Sequence, residues 1–234
     1  MATCGNNGNI SRKAVSDALH PPPIELTGCQ RIGVLADTHI PHRLSEMPPQ
    51  VYALLRGSDA ILHAGDLETP DILPALQAIA PTYAVRGNLH WQFSTGLHDQ
   101  DLPLCVTLRA GRHVIWMTHG HISFAYSVLD KLTGIGGRHK LSHINQKLIA
   151  RLARLKPPEA TIVVFGHSHL SCAVPLNGAL YFNPGAVCPS AEADTREPPR
   201  IGRLTLHDDG RVDCEWHLLG SERPTPAEAL LGTR

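Results

Sequence analysis

The stretch Arg31-Ile32-Gly33-Val34-Leu35-Ala36-Asp37-Thr38-His39 carries the pattern that decides the fold. A short apolar run (Ile32, Val34, Leu35, Ala36) stops at Asp37, and His39 follows after one intervening residue. A run of this length bounded by polar residues predicts a buried strand of a parallel sheet. The carboxylate and imidazole then sit just past its C-terminal end, the edge at which ligands bind in open α/β sheets. Asp and neutral imidazole are oxygen and nitrogen donors suited to divalent zinc, manganese or iron. Alone, Asp-x-His is equally a polar turn, so its meaning depends on partners elsewhere in the chain.

Downstream the same unit repeats. Pro48-Pro49 can start a helix through Val51, Leu54 and Leu55 that ends near Gly57. Asp59 to His63 predicts a second strand, ending in Ala64-Gly65-Asp66. A helix from Thr69 or Pro70 to Ala80 follows, with Ile72, Leu73, Leu76 and Ile79 on one face. Thr82 to Val85 predicts a third strand, ending in Arg86-Gly87-Asn88. Successive strand-then-helix units imply a parallel, right-handed α/β arrangement. All three strands end in a polar group, and glycine before Asp66 and Asn88 permits tight turns beside a ligand.

The second half is richer in strands. Leu104 to Arg109 and Arg112 to Met117, split by Ala110-Gly111, predict a hairpin whose second strand runs into Thr118-His119-Gly120-His121. Leu141 to Leu155 has helical spacing at Leu148, Ile149, Leu152 and Leu155, and Pro157-Pro158 stops it. Thr161 to Phe165 predicts a buried strand that ends in Gly166-His167-Ser168-His169. Further strands are expected at 180–182, 201–207 and 212–218, with a turn at Asn183-Pro184-Gly185.

The chain has 234 residues with 42% hydrophobic and 18% charged content, which suits one globular domain with a sizeable core. Its expected extent is 31–219. A flexible leader over 1–30, rich in Gly, Asn and Pro with a short helical piece around Ala14 to Leu19, precedes it, and a loosely held tail over 220–234 follows. Lys+Arg and Asp+Glu balance at 21 each, so no general nucleic-acid surface is evident. No apolar run or signal core points to a membrane. The cysteines (Cys4, Cys29, Cys105, Cys172, Cys188, Cys214) are scattered without a Cys-x-x-Cys pair, which disfavours a zinc ribbon and suits reduced thiols in the cytoplasm. Histidine is the compositional outlier at 15.

Asp37 and His39, Asp66, Asn88, His119 (with His121) and His167 with His169 all fall at expected strand ends. A single such residue is usually a cap or a satisfied core group; their recurrence on one sheet edge points to a metal centre. Seven donors (Asp37, His39, Asp66, Asn88, His119, His167, His169) exceed the four of a closed zinc site. They suit two ions about 3.5–4 Å apart sharing a carboxylate, with Asp66 as the bridge. Nitrogen and oxygen donors without thiolate favour Mn, Fe, Zn or Co over soft metals.

As an ordered set, these motifs resemble the calcineurin-like metallophosphoesterase superfamily. Asp37-Thr38-His39, Val85-Arg86-Gly87-Asn88 and Asn183-Pro184-Gly185 are most similar to its small bacterial and archaeal phosphodiesterase branch, whose fold the retromer subunit Vps29 shares. The resemblance implies a four-layer α/β/β/α sandwich of two mixed β-sheets flanked by helices. It implies one ion on Asp37, His39, Asp66 and His169, and a second on Asp66, Asn88, His119 and His167. Manganese is the first expectation for both, with Fe, Zn, Co or Ni as alternatives. The implied activity is that of a phosphodiesterase or other phosphoesterase on a small substrate, by in-line attack of a hydroxide bridging the two ions. The alternative is a Vps29-like protein-binding scaffold with a vestigial metal site.

One position departs from the family. Many members follow the Asn with a histidine that assists the leaving group, whereas Leu89 stands here and His90 comes one residue later. His90 and His121 are both candidate acids. Arg43 is a candidate phosphate-binding residue beside Asn88, while for Arg86 a structural contact is the simpler expectation. His42, His63 and Ser168 are candidates for supporting the ligands. Two other hydrolase patterns fail: Ser123 and Phe124 after His121 break a His-x-His-x-Asp-His motif, and His39 occupies the place of the second Asp of an aspartyl-phosphate enzyme.

Overall fold

The computed structural model describes residues 17–87, 102–120, 142–189, 197–221 and 224–226. Arg31–Leu35 forms β2, Ala60–His63 β3 and Thr82–Ala84 β4. These three short apolar segments run parallel, with Val34 opposite Leu62 and Leu62 opposite Tyr83. On the other side of β2, Arg200–Leu206 (β10) is antiparallel, and Val212–Leu218 (β11) and Pro224–Pro226 (β12) extend the sheet by further antiparallel pairs. The second sheet repeats the plan. His113–Thr118 (β6), Ile162–Val164 (β7) and Ala179–Asn183 (β9) are parallel to one another. Cys105–Ala110 (β5) and Cys172–Leu176 (β8) flank them as antiparallel partners. Both sheets are therefore mixed, each with three adjacent parallel strands, at one side of the first sheet and in the middle of the second.

Strand alternation sorts side chains into layers. Ile32, Val34 and Leu62 of one sheet meet Leu108, Ile115, Met117, Ile162 and Val164 of the other in a common core. Leu35 and Ile61 point outward instead, onto Val51 and Leu55 of helix α1 (Pro49–Leu55) and Leu76 of α2 (Leu73–Gln77). On the opposite outer face Val114, Trp116, Val163 and Tyr181 pack on Leu148 and Leu152 of α3 (Ser142–Leu155). The result is the expected helix–sheet–sheet–helix sandwich. Burying each large apolar side chain is worth about 1.5–3 kcal/mol, and the two sheets approach closely where Gly202 faces Phe182. A Cβ there would lie 2.5 Å from the Phe182 ring. That ring stacks on Trp216, whose indole N–H donates to the Asn183 carbonyl at 3.0 Å.

Three details differ from expectation. The helix expected from residue 69 or 70 to 80 starts as a 3₁₀ turn at Pro70–Ile72 and becomes α-helical only over Leu73–Gln77. Pro74 has no N–H to donate and is tolerated only in a first turn, so the α-helix begins beside it. Strand β8 was not expected; it pairs with β9 across Asn177-Gly178, whose φ angles of 50° and 77° are those of a tight hairpin turn. Finally, the packed fold reaches beyond 31 and 219 at both ends. Leu19 is buried and its carbonyl accepts the Trp116 indole N–H at 2.8 Å, while Ile24–Glu25 (β1) pairs parallel to β5. At the other end β12 pairs with β11. No helix among the described residues is long and apolar enough to cross a membrane.

Candidate metal centre

The C-terminal ends of β2, β3, β6 and β7 meet at one edge of the sandwich, and each passes directly into ligand-type residues. Asp37, His39, Asp66, His167 and His169 all have positive φ, between 49° and 71°. Left-handed backbone is uncommon outside glycine, and each such residue costs on the order of 1–3 kcal/mol unless its surroundings enforce it. Here neighbouring turns enforce it. Asp37 N donates to Gly65 O at 3.0 Å, His39 N to Asp66 O at 3.1 Å, and Ile40 N to Leu67 O at 3.2 Å. Gly166 N reaches His119 O at 3.2 Å, which ties the second sheet's loop to its neighbour. Gly65 is required sterically as well as conformationally: at φ 96° its Cβ would sit 2.6 Å from His119 Nδ1.

The side chains converge on two buried carboxylates. Asp37 Oδ1 has His169 Nε2 at 3.4 Å, His119 Nε2 at 3.9 Å and His39 Nε2 at 4.0 Å. Asp66 Oδ2 lies 3.3 Å from His119 Nε2 and 3.6 Å from His39 Nε2. His39 and His169 approach at 3.3 Å between their Nε2 atoms. The His167 ring stands edge-on to His119 with 5.2 Å between centroids.

The outer nitrogens are held by acceptors. His119 Nδ1–H donates to the Ala64 carbonyl at 2.7 Å, and His39 Nδ1–H to Glu68 Oε1 at 2.6 Å. A carbonyl or carboxylate can only accept, so each Nδ1 carries the proton and the Nε2 lone pair points inward. This is the tautomer a metal ligand needs.

The electrostatics of the centre suit a cation. Burial pushes the Asp37 carboxyl up to about 7, with His119 opposing and Asp66 reinforcing. Burial also acts to raise Asp66, but His119, His39 and His167 outweigh it and hold that carboxyl well below its ordinary range. Burial acts to lower His119, yet Asp66 and Asp37 carry it up to about 9. Burial, with His39 and Arg43 adding to it, pushes His169 down to about 3. Asp66 and Asp37 thus draw a second proton onto His119 at Nε2, and a bound cation would take that proton's place and use the lone pair. Asp37 Oδ1 remains buried without a hydrogen-bond partner, which is costly for an ionised oxygen. A divalent cation among these nitrogen and oxygen donors answers both needs, so the residues fit the metal that their spacing implied. Asp37, His39 and Asp66 offer donor atoms that all lie within 4.8 Å of one another.

Of the sequence-derived candidates, Asp37, His39, Asp66, His119, His167 and His169 come together at this edge. Asn88, His90 and His121, with Leu89, lie outside the described residues. Arg43 is exposed at the rim, and its guanidinium adds to the fall in the His169 pKa. Arg86 is half-buried and its amide donates to the Pro103 carbonyl at 3.0 Å. His42 pairs with Glu68, and buried His63 contacts Thr38 Oγ1 through Nε2 at 3.2 Å. Ser168 braces the second loop: it donates to Asn145 Oδ1 at 2.7 Å and accepts from Asn183 Nδ2 at 3.1 Å. Glu68, the carboxylate behind His39, was not anticipated. Its position two residues after Asp66 is a signal, but the same spacing also suits the approach to a helix.

Residues 31–209 match the calcineurin-like phosphoesterase superfamily domain. A probable metallophosphoesterase of Methanothermobacter thermautotrophicus is 30% identical over 191 residues, which cover 79% of this chain and 90% of that protein. The probable metallophosphoesterase YsnB of Bacillus subtilis is 31% identical over 170 residues, 70% of this chain and 78% of that one. Among solved structures, vacuolar protein sorting 29 from Cryptosporidium parvum matches with a TM-score of 0.61 at 22% identity, covering 85% of this chain and 96% of that one. At that identity the likeness concerns the fold.

Proposed function

Because the chain belongs to the calcineurin-like phosphoesterase superfamily, we propose that this metal-dependent phosphoesterase is a phosphodiesterase using two divalent ions. Asp37, His39, Asp66 and His169 would hold one ion, and Asp66, His119, His167 and Asn88 the other, with manganese the first expectation. Divalent ions there would supply Lewis-acid charge, which makes water acidic near neutral pH and neutralises phosphoryl oxygens. The observation that carries this reading is the place of Asp66. Its Oδ2 lies between His39 Nε2 at 3.6 Å and His119 Nε2 at 3.3 Å, each imidazole belonging to a different ligand set.

The chain's own residues divide the remaining work. Glu68 and the Ala64 carbonyl orient His39 and His119. Arg43, at the rim, offers a fixed positive fork for phosphate oxygens. His90 or His121 is the proposed donor of a proton to the leaving oxygen, a role typically worth 10²–10⁴-fold. The proposed setting is cytoplasmic, with none of the five described cysteines in a disulfide, and the proposed substrate is a small phosphoester.

The test is hydrolysis of an aryl phosphodiester and an aryl phosphomonoester with Mn²⁺, before and after chelation. Faster turnover of the diester is expected, lost on chelation and in Asp66→Ala together with bound metal, while circular dichroism stays unchanged. Turnover that survives chelation or Asp66→Ala would exclude the two-metal reading. A protein-binding scaffold is the second reading, favoured by Leu89 at the position of the family histidine. Full metal occupancy without turnover on either ester would select it.

A further inference from the structure

Cys188 has no part in the nitrogen and oxygen ligand sets, yet it is built into the same centre. It is only 2% exposed, and its amide donates to the Asp37 carbonyl at 3.2 Å, which fixes it against the first turn. Its Sγ lies 3.9 Å from His169 Nδ1 and 3.9 Å from the Arg43 guanidinium. His39, His169 and Cys188 each offer a donor atom within 4.8 Å of the others. A second, independent observation marks the place as one for an ion. Asp37 Oδ1, fully buried and without a hydrogen-bond partner, lies 3.4 Å from His169 Nε2.

We propose that Cys188 supplies a thiolate to the ion held by His39 and His169, so that this half of the centre selects thiophilic ions such as Zn²⁺ or Cd²⁺ over Mn²⁺. The proposal rests on the metal-centre reading above and revises one expectation drawn from it, that the donor set is free of sulfur. On binding, the Cys188 S–H bond breaks, its electron pair goes to the ion, and the proton leaves to solvent. Soft sulfur strengthens the hold on zinc-like ions far more than on manganese. Burial pushes the free Cys188 thiol up to about 12, with Arg43 opposing, so the proton leaves only as an ion takes its place.

The experiment titrates Cd²⁺ into the metal-stripped full chain and follows the near-ultraviolet sulfur-to-metal charge-transfer band. The band should grow with the first equivalent in the wild type and be missing in Cys188→Ser, which still binds Cd²⁺ but about tenfold or more weakly. The affinity for Mn²⁺, read by electron paramagnetic resonance, should change much less. The other cysteines are present in both chains, so their contribution cancels. X-ray absorption of the wild type with one equivalent of Zn²⁺ needs no variant and should show one sulfur neighbour. Cadmium binding without the band, an unchanged band in Cys188→Ser, or zinc without sulfur overturns the thiolate and leaves the metal centre standing. Failure to bind Cd²⁺, Zn²⁺ and Mn²⁺ alike overturns the centre and the thiolate with it.

Discussion

The turn Asp37–His39 and the turn His167–His169 end parallel strands of different sheets, yet they use one backbone device. In each, the first and third residues adopt left-handed φ, 53° and 49° in one and 71° and 59° in the other. The residue between them anchors the turn through a hydroxyl. The anchoring differs. Thr38 is fully buried and makes long contacts, 3.2 Å to His63 Nε2 and 3.4 Å to the Asp66 carbonyl. Ser168 makes shorter ones, 2.7 Å to Asn145 and 3.1 Å from Asn183, which reach α3 and the end of β9. The first turn gains its rigidity from backbone bonds to β3's loop and from Glu68, the second from a side-chain brace. Equivalent ligand positions can thus be held by unlike means.

The sharpest way to break this pairing is Gly166→Ala. A Cβ there would meet the Ala64 carbonyl at 2.9 Å and Asp37 Oδ2 at 3.0 Å, wedging the two turns apart. Overpacking of this kind costs about 1–3 kcal/mol. Denaturant unfolding should show that loss, and elemental analysis should show metal lost from both sites.

Glu68→Gln comes next and touches the first turn alone. The Glu68 carboxyl is held below its ordinary range: burial would raise it, but His39 and His42 outweigh that effect, so it is anionic at neutral pH. Removing the charge behind His39 should weaken metal binding about 10–100-fold by calorimetry, with little change in unfolding. An unchanged affinity would mean that the first turn is held by its backbone bonds alone.

The two hydroxyls should affect metal binding least and are separated by stability alone. Ser168→Ala strips partners from Asn145 and Asn183 and should cost about 1–3 kcal/mol. Thr38→Val removes longer contacts and should cost about 1 kcal/mol or less. Equal losses in urea denaturation would erase the distinction between the turns.

What could be read from residue order follows from the same contrast. Apolar runs that stop at Asp37, Asp66, His119 and His167 are local signals, and the parallel strands of the first sheet and the ligand edge were legible from them; the mixed second sheet followed from the family resemblance. Three edge strands, β1, β8 and β12, were not legible. β1 and β12 have only two and three residues, and they exist because distant partners β5 and β11 offer free edges. β8 carried the Asn177-Gly178 hairpin signal, but Pro175 reads against a strand until it is known to lie at an edge. Glu68 carried only an ambiguous signal in its spacing from Asp66 and Cys188 none, because turn geometry brings them to His39 and His169.

The buried, unpartnered Asp37 Oδ1 has a thermodynamic consequence for the whole molecule. Anything that satisfies this atom in the folded state, and finds no such site in the unfolded chain, adds to stability by mass action. That linkage amounts to about 2.7 kcal/mol when free ligand is 100 times its dissociation constant. The melting temperature should therefore climb with the concentration of the bound cation and fall on chelation. In Asp37→Asn, where the oxygen no longer carries the charge that needs an ion, the melting curve should respond far less to either. The ion would then be a constituent of the folded state as much as a reagent of the reaction.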